Sequence, residues 1–254
     1  MFFLFSPLEQ FSILPLNKVL FFGFNFSITN SVVILAFGFS CFLFALFFLR
    51  SEKKSFYIVP NRIQYLVETI YSVVYALIND NVGSVGKAFF PYVFTLFTFI
   101  LVSNIIGLLP YSFTITSHLI VTFALALMTF IGINLVCFRE HGINFLSLFL
   151  PPGSSMVLAL LLVPIEFVSY IFRPISLSVR LFANMMAGHT LLKVIAGFAW
   201  SMLLIGSSSM IAAHTIPLSV LVVLMLLELG VAVIQAYVFT ILTCIYINDA
   251  IHLH

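Results

Sequence analysis

A chain of 254 residues that is 63% hydrophobic and only 7% charged is not a soluble domain, where about a quarter of the residues carry charge. It is an integral membrane protein, and no polar linker divides it. The net charge of +2 is too weak to recommend a nucleic-acid partner.

The N-terminal stretch MFFLFSPLEQFSILPL has neither a basic n-region nor an Arg-rich amphipathic pattern, so no cleaved secretory signal or transit peptide is expected in it. A spanning helix needs about 20 apolar residues. The first uncharged run is Ser31 to Leu49, with a start as early as Val19. RSEKKSFYIVPNR, the most charged stretch, follows it. Over residues 61–80 the apolar positions Ile63, Leu66, Val67, Ile70, Val74, Leu77 and Ile78 recur at helical spacing. Arg62, Gln64, Glu68, Ser72 and Asn79 fill the other side, which predicts an amphipathic helix lying on a membrane surface. Ala88 to Leu109 is the second span, closed by the uncharged turn GLLPYSFTITS. His118 to Phe138 is the third, closed by REHG. INFLSLFL is too short to span and reads as interfacial or re-entrant, stopped by Pro151, Pro152 and Gly153.

Two much longer apolar runs follow, Ser155 to Ile205 and Met210 to Tyr246. As helices they would measure about 75 and about 55 Å, against a hydrocarbon core of about 30 Å. They must be steeply tilted, or broken at Pro164, Pro174, Gly188 or Gly197. YINDAIHLH is expected to be a short polar tail. Cys41, Cys137 and Cys244 lie in apolar stretches with neither disulfide nor zinc spacing and read as small buried hydrophobes. The expected fold is all-α and polytopic, with about five membrane helices. One domain, 1–254, holds an N-terminal segment with the first span (1–49), the surface helix (61–80), a hairpin (88–138) and a long tilted hairpin (155–248). Lys and Arg concentrate after spans one and three, at Arg50, Lys53, Lys54, Arg62, Lys87 and Arg139. Those loops therefore face the negative side of the membrane.

The first of these two long runs carries fixed charge. Arginine keeps its proton in a protein, and insertion scales put it at about 2.5 to 3.5 kcal/mol at midplane. Helical residues seven apart differ by only about 20°, so Glu166, Arg173 and Arg180 line one face, with Ser169 and Ser176 between them and Asn184 one turn on. Ala183 and Ala187 follow Arg180 on that face, and small residues there let another helix approach closely. A cation flanked by small residues implies a partner helix that brings an anion. The alternative is a static ion pair within the chain. In the second long run and its extension His214, Glu228, Gln235 and Asp249 are separated by multiples of seven. With Arg180 level with Gln235, His189 and Glu228 share the positive-side half of the membrane, and Glu166 and Asp249 the negative-side half. His189 is nine residues from Arg180, on the opposite side of an ideal helix, and reaches a shared cavity only if the helix turns, for instance at Gly188. Both His189 and His214 have the alternative of a hydrogen bond inside the bundle. Arg173 either pairs with Glu166, snorkels or takes part in transport. Lys193 snorkels.

The motifs RLFANMMAGH, ELGVAVIQAYVFTIL and IIGLLPYSFT resemble the a subunit of F-type ATP synthases in its mitochondrial form, and the resemblance runs from SPLEQF to NDAIHLH. It implies a non-catalytic stationary subunit with two offset half-channels that deliver protons to and from the carboxylates of a rotor ring of c subunits. It also implies that Arg180 faces that ring with Asn184 and Gln235 as polar neighbours. His189 and Glu228 match the inlet pair in the order of mitochondrial members, and Glu166 matches the outlet carboxylate. Arg173, His214 and Asp249 are secondary candidates. No cofactor is expected, and no phosphate-cradling Gly-x-x-x-x-Gly-Lys-Ser/Thr loop is present. The implied partners are the c ring, other membrane and peripheral-stalk subunits, and the lipid bilayer. The implied location is the mitochondrial inner membrane. The 31 Phe against 1 Trp fit an AT-rich, organelle-encoded gene.

Two readings compete. A secondary transporter or ion channel using the same charges would favour internal inverted symmetry, which the sequence lacks. An intramembrane metalloenzyme would use His189, His214 and Glu228, but HExxH-type spacing is absent.

Overall fold

In the computed structural model, which describes residues 7–18, 20–21, 24–25, 27–51, 61–109, 112–142, 156–204 and 214–251, Asn30 ends the N-terminal segment and starts the first helix. Its N–H donates to the Leu14 carbonyl at 3.2 Å, and its Oδ1 accepts from the N–H groups of Ser31 at 2.9 Å and Leu14 at 3.3 Å. The preceding chain folds back in two short antiparallel ladders, Pro15–Asn17 with Ile28–Thr29 and Leu20–Phe21 with Phe24–Asn25. Helix α1 (Asn30–Ser51) therefore does not reach back to Val19. The cause is local: an Asn side chain that accepts backbone N–H groups sets a helix start.

Helix α2 (Arg62–Asn81) begins at Asn61, whose Oδ1 accepts the Arg62 N–H at 2.8 Å. The predicted apolar stripe holds in its second half, where Val74, Leu77 and Ile78 are buried. In the first half Val67 and Ile70 are half-buried, but Gln64 and Leu66 depart from it. Gln64 is 5% exposed and donates to Glu68 Oε1 at 2.7 Å, while Leu66 is 58% exposed. The carboxylate four residues on satisfies the amide, and that is what permits the inversion. Gly83, at φ 72, takes the left-handed conformation that ends α2. The 3₁₀ turn Gly83–Phe89 then leads into α3 (Phe90–Gly107).

Helices α4 (Leu119–His141), α5 (Met156–Leu204) and α6 (Thr215–Ile251) complete the architecture. Among the described residues four helices are long and apolar enough to cross a membrane: Val85–Gly107, Leu119–His141, the stretch of α5 over Leu161–Leu204, and α6. α1 stands at the first predicted span. Pro164 and Pro174 remain inside α5, and neither Gly188 nor Gly197 interrupts it. The predicted break is not taken. An unbroken α5 measures about 74 Å at about 1.5 Å per residue, which leaves steep inclination as the way to cross the bilayer. α6 also runs further than expected, to Ile251, where that carbonyl accepts from His141 Nε2 at 3.0 Å. The predicted polar tail is thus helical to that point, and Asp249 sits on a helix. INFLSLFL, Pro151, Pro152 and Gly153 lie outside the described residues, as does most of RSEKKSFYIVPNR.

The chain packs as two units. One contains Met1–Phe44, Ile100–His118 and Leu181–Gln235. There α1 meets α3 at Gly38, where a Cβ would stand 2.5 Å from Ile106 Cδ1, and Ile100, Leu181, Met185 and Ala232 are fully buried. The other contains Ala45–Phe99, Leu119–Arg180 and Ala236–His254. Its interior includes Val74, Val93, Cys137, Phe239 and Cys244, so Cys137 and Cys244 are buried as predicted. Outside these interiors α5 and α6 present rows of exposed Leu, Val, Ile and Phe, as a helix solvated by lipid does.

Candidate functional site

Two polar clusters form on α5 and α6, one in each unit. In the unit containing Leu181–Gln235, Asn184 Nδ2 donates to Gln235 Oε1 at 2.9 Å. One turn further along α5, His189 Nε2 stands 3.5 Å from Glu228 Oε1. No break at Gly188 is needed for this approach, because α5 stays helical through it. Gly188 contributes differently. A Cβ there would lie 2.7 Å from Glu228 Oε1 and 3.0 Å from its Cδ, so the missing side chain is the space the carboxyl group occupies. Beside it opens a cleft of about 280 Å³, lined by Asn184, Ala187, Gly188, Leu224, Glu228 and Val231 among others.

Glu228 is 4% exposed. Neither of its oxygens, nor His189 Nε2, nor Gln235 Nε2 has a hydrogen-bond partner among the described residues. An unmade buried hydrogen bond costs about 1 to 3 kcal/mol, and groups left in that condition in a membrane interior usually mark an ion path. Asn104 of α3 enters the same unit. It is buried and donates from Nδ2 to the Ala232 carbonyl at 3.3 Å.

The second cluster, in the other unit, centres on Arg173. Its guanidinium lies 3.5 Å from Asp249 Oδ2 and 3.9 Å from Glu166 Oε1. It also lies over the rings of Tyr170 and Tyr246, 5.2 and 5.1 Å from their centroids. Such a cation–π sandwich holds a guanidinium against the apolar surroundings. Tyr170 donates its hydroxyl to Asn134 Oδ1 of α4. A cavity of about 20 Å³ lies among Ile133, Cys137, Tyr170, Arg173, Tyr246 and Asp249, room for about one water. Arg173 therefore pairs rather than snorkels, and Glu166 and Asp249 share one locale as predicted.

Arg180 behaves differently from Arg173. It is exposed, and no carboxylate among the described residues comes within 4.0 Å of its guanidinium. Ser176, Ala183, Asn184 and Ala187 on the same helix are exposed too. Gln235 takes Asn184, one turn past Arg180, as its partner. His214 stands just before α6, its carbonyl accepting the Leu218 N–H at 3.3 Å, and does not line the cleft. It lies about 21 Å from Glu228 along the helix. Among the described residues no three His, Cys, Asp or Glu side chains gather as a metal site requires.

Sequence reasoning missed Gly188 as the seat of the carboxylate, the two tyrosines around Arg173, and Asn134 and Asn104. Tyr246 had a signal, standing seven residues from Phe239 and three from Asp249 at the end of a helical period. Asn104 and Asn134 had the signal of an amide inside an uncharged span, where a buried polar group requires a partner.

The family described as ATP synthase A chain matches residues 31–248. The chain is 57% identical to an ATP synthase subunit a of Pylaiella littoralis, over 98% of this chain and 99% of that protein. It is 50% identical to one of Chondrus crispus, over 98% and 97%, and 47% identical to one of Brassica napus, over 98% and 97%.

Proposed function

Because this chain belongs to the ATP synthase A chain family, we propose a division of labour among its intramembrane charges. The chain is a non-catalytic, proton-translocating membrane subunit of an F-type ATP synthase. It works within that complex, where nucleotide chemistry falls to other subunits. On our reading its seat is the mitochondrial inner membrane and the surface carrying Arg180 faces the c ring.

A proton arrives from the positive side through the cleft beside Glu228, whose carboxyl oxygens, with the His189 imidazole 3.5 Å away, accept and pass it. It then neutralises a carboxylate of the ring, which turns into lipid. After nearly a full turn that carboxylate meets the second cluster and releases its proton toward Glu166 and Asp249. Along α5, Arg180 falls in sequence between Glu166 and Arg173 of one cluster and His189 of the other. An arginine about 4 Å from a carboxylate in a protein-like surround favours its ionised form by on the order of 4 kcal/mol, about three decades in proton affinity. The same fixed charge repels a proton that would leak directly from inlet to outlet. Each charge crossing supplies about 2.3 kcal/mol per 100 mV, so several crossings must be pooled per ATP. Asn184 and Gln235 bridge α5 to α6 one turn from Arg180 and hold that register.

The observation that carries this reading is the contrast between the two arginines. Arg173 is neutralised by its own chain, whereas Arg180 is exposed on a strip of small and polar residues with no carboxylate of the described residues beside it. The test is ATP-driven proton pumping by the reconstituted complex carrying Arg180→Ala. Pumping should be abolished while the complex still assembles. Normal coupled pumping would refute the assignment.

A further inference from the structure

A second cleft lies in the unit that also holds Arg173, and none of the site residues described above lines it. It measures about 260 Å³ and is lined by Tyr71, Tyr75 and Asn79 of α2 and by Lys87, Phe90 and Pro91 of the turn and the start of α3, among others. We propose that this cleft binds an anionic phospholipid, with Lys87 taking the headgroup phosphate and the aromatic wall flanking an acyl chain.

The argument begins with position. α2 packs its second half inward through Val74, Leu77 and Ile78, and Gly83 turns the chain directly into the span that starts at Val85. The close approach of Gly86 to Ile78, 2.7 Å for a Cβ there, holds that corner tight. The cleft therefore sits where a surface helix meets a membrane helix, at headgroup depth. By the Lys and Arg distribution it is on the negative side of the membrane, where anionic leaflet lipids attract basic residues.

The chemistry of the lining is the second step. Among the described residues Lys87 is the only charged one lining it. Lys87 is exposed, and no carboxylate among the described residues lies within 4.0 Å of its ammonium, although exposed Asp80 adjoins Asn79 in sequence. The Asn79 amide adds a donor for a phosphate oxygen. Beside them runs an aromatic wall: Tyr71 stacks with Tyr75 at 6.3 Å and meets Phe90 at 4.8 Å and Phe94 at 6.4 Å, and Phe90 stacks on Phe94 at 5.7 Å. A cation and an amide next to an apolar wall that continues along the membrane helix match a molecule that has a phosphate head and a hydrocarbon tail. A free phosphate would use only the cation and the amide. Tyr71 and Tyr75 are 50% and 43% exposed, so the wall is available from the lipid side, as interfacial aromatic residues are.

The experiment uses the intact complex in phosphatidylcholine vesicles doped with a trace of phosphatidylglycerol or phosphatidylcholine that carries a photoactivatable acyl chain. Adducts are mapped by digestion to residues 71–95. Phosphatidylglycerol should label this segment about fivefold more than phosphatidylcholine, the ratio equivalent to about 1 kcal/mol per Lys at an anionic surface. Lys87→Gln should bring the ratio to about one with phosphatidylcholine labelling unchanged, which shows the fold intact, and Lys87→Arg should keep the preference. Equal labelling by both lipids in the unaltered complex would overturn the proposal, as would a preference that survives Lys87→Gln. Absence of adducts from either lipid would mean that another subunit covers the cleft, which also overturns it. Loss of labelling on adding excess inorganic phosphate would assign the site to a soluble anion instead.

Discussion

The Glu228 carboxyl group occupies the volume that a side chain at Gly188 would need: Oε1 lies 2.7 Å, and Cδ 3.0 Å, from where a Cβ would stand. The two residues belong to different helices, so neither explains itself alone. Gly188→Ala should displace the carboxylate from His189 and reduce ATP-driven proton pumping about tenfold, on the scale of about 1 to 3 kcal/mol for overpacking. Glu228→Asp, one methylene shorter, should restore part of the loss in the double variant. Full activity in Gly188→Ala would show that the carboxylate does not need this seat.

Glu228→Gln keeps the shape and removes the exchangeable carboxyl proton. Passive proton flux through membrane sectors stripped of the catalytic head should fall by about a hundredfold, the lower range of what a positioned proton-transfer group contributes. Unchanged flux would take Glu228 off the path and leave His189 as a packing residue.

Arg173 is held by two carboxylates and two rings at once, a geometry that suits a planar guanidinium and not an ammonium. Arg173→Lys should lower the thermal-inactivation midpoint of the membrane sector, and so should Tyr246→Leu. The double variant should lose less than the sum of the two, with a coupling of about 0.5 to 2 kcal/mol. Strict additivity would mean that the ring contact contributes nothing.

His118 precedes α4 in the turn between the third and fourth helices, stacked on Phe113 at 5.0 Å. Burial holds its imidazole below the ordinary value of 6.5. The unfolded turn therefore binds the proton more readily than the folded one, and stability rises with pH through this window. The contribution is complete above 6.5 and is lost as pH falls toward the depressed folded value. Amide hydrogen exchange over Thr114–His118 should accelerate, relative to its intrinsic rate, between about pH 8 and about pH 5. His118→Gln should remove that difference, and a pH-dependent difference that persists in the variant would assign it to another group.

Much of this architecture could be read from spacing. A period of seven put Glu166, Arg173 and Arg180 on one face, and the grouping of His189 with Glu228 and of Glu166 with Asp249 followed from two antiparallel helices. The errors have local causes. Asn30 stops the first helix with side-chain hydrogen bonds that hydropathy does not weigh. Tyr246 to His254 looked like a polar tail because Asn248 and Asp249 are polar, yet the helix runs on to Ile251 and Asp249 pairs with Arg173. Gly188 was read as a hinge because glycine frees a backbone, whereas its use here is to yield space to a residue 40 positions away, as a comparison of the two numbers shows. Gln64 and Leu66 exchanged their expected environments once Glu68 supplied an acceptor for the amide.

The bareness of Arg180 bears on how such a chain is made. A copy inserted ahead of its neighbour would hold a permanent cation against acyl chains, disfavoured by about 2.5 to 3.5 kcal/mol, or roughly a hundredfold in occupancy of the fully inserted state. An orphan would then linger with its fifth helix partly withdrawn, recognisable to proteolytic surveillance, and arrival of an acidic companion would complete insertion. Biogenesis and torque would draw on the same electrostatic need.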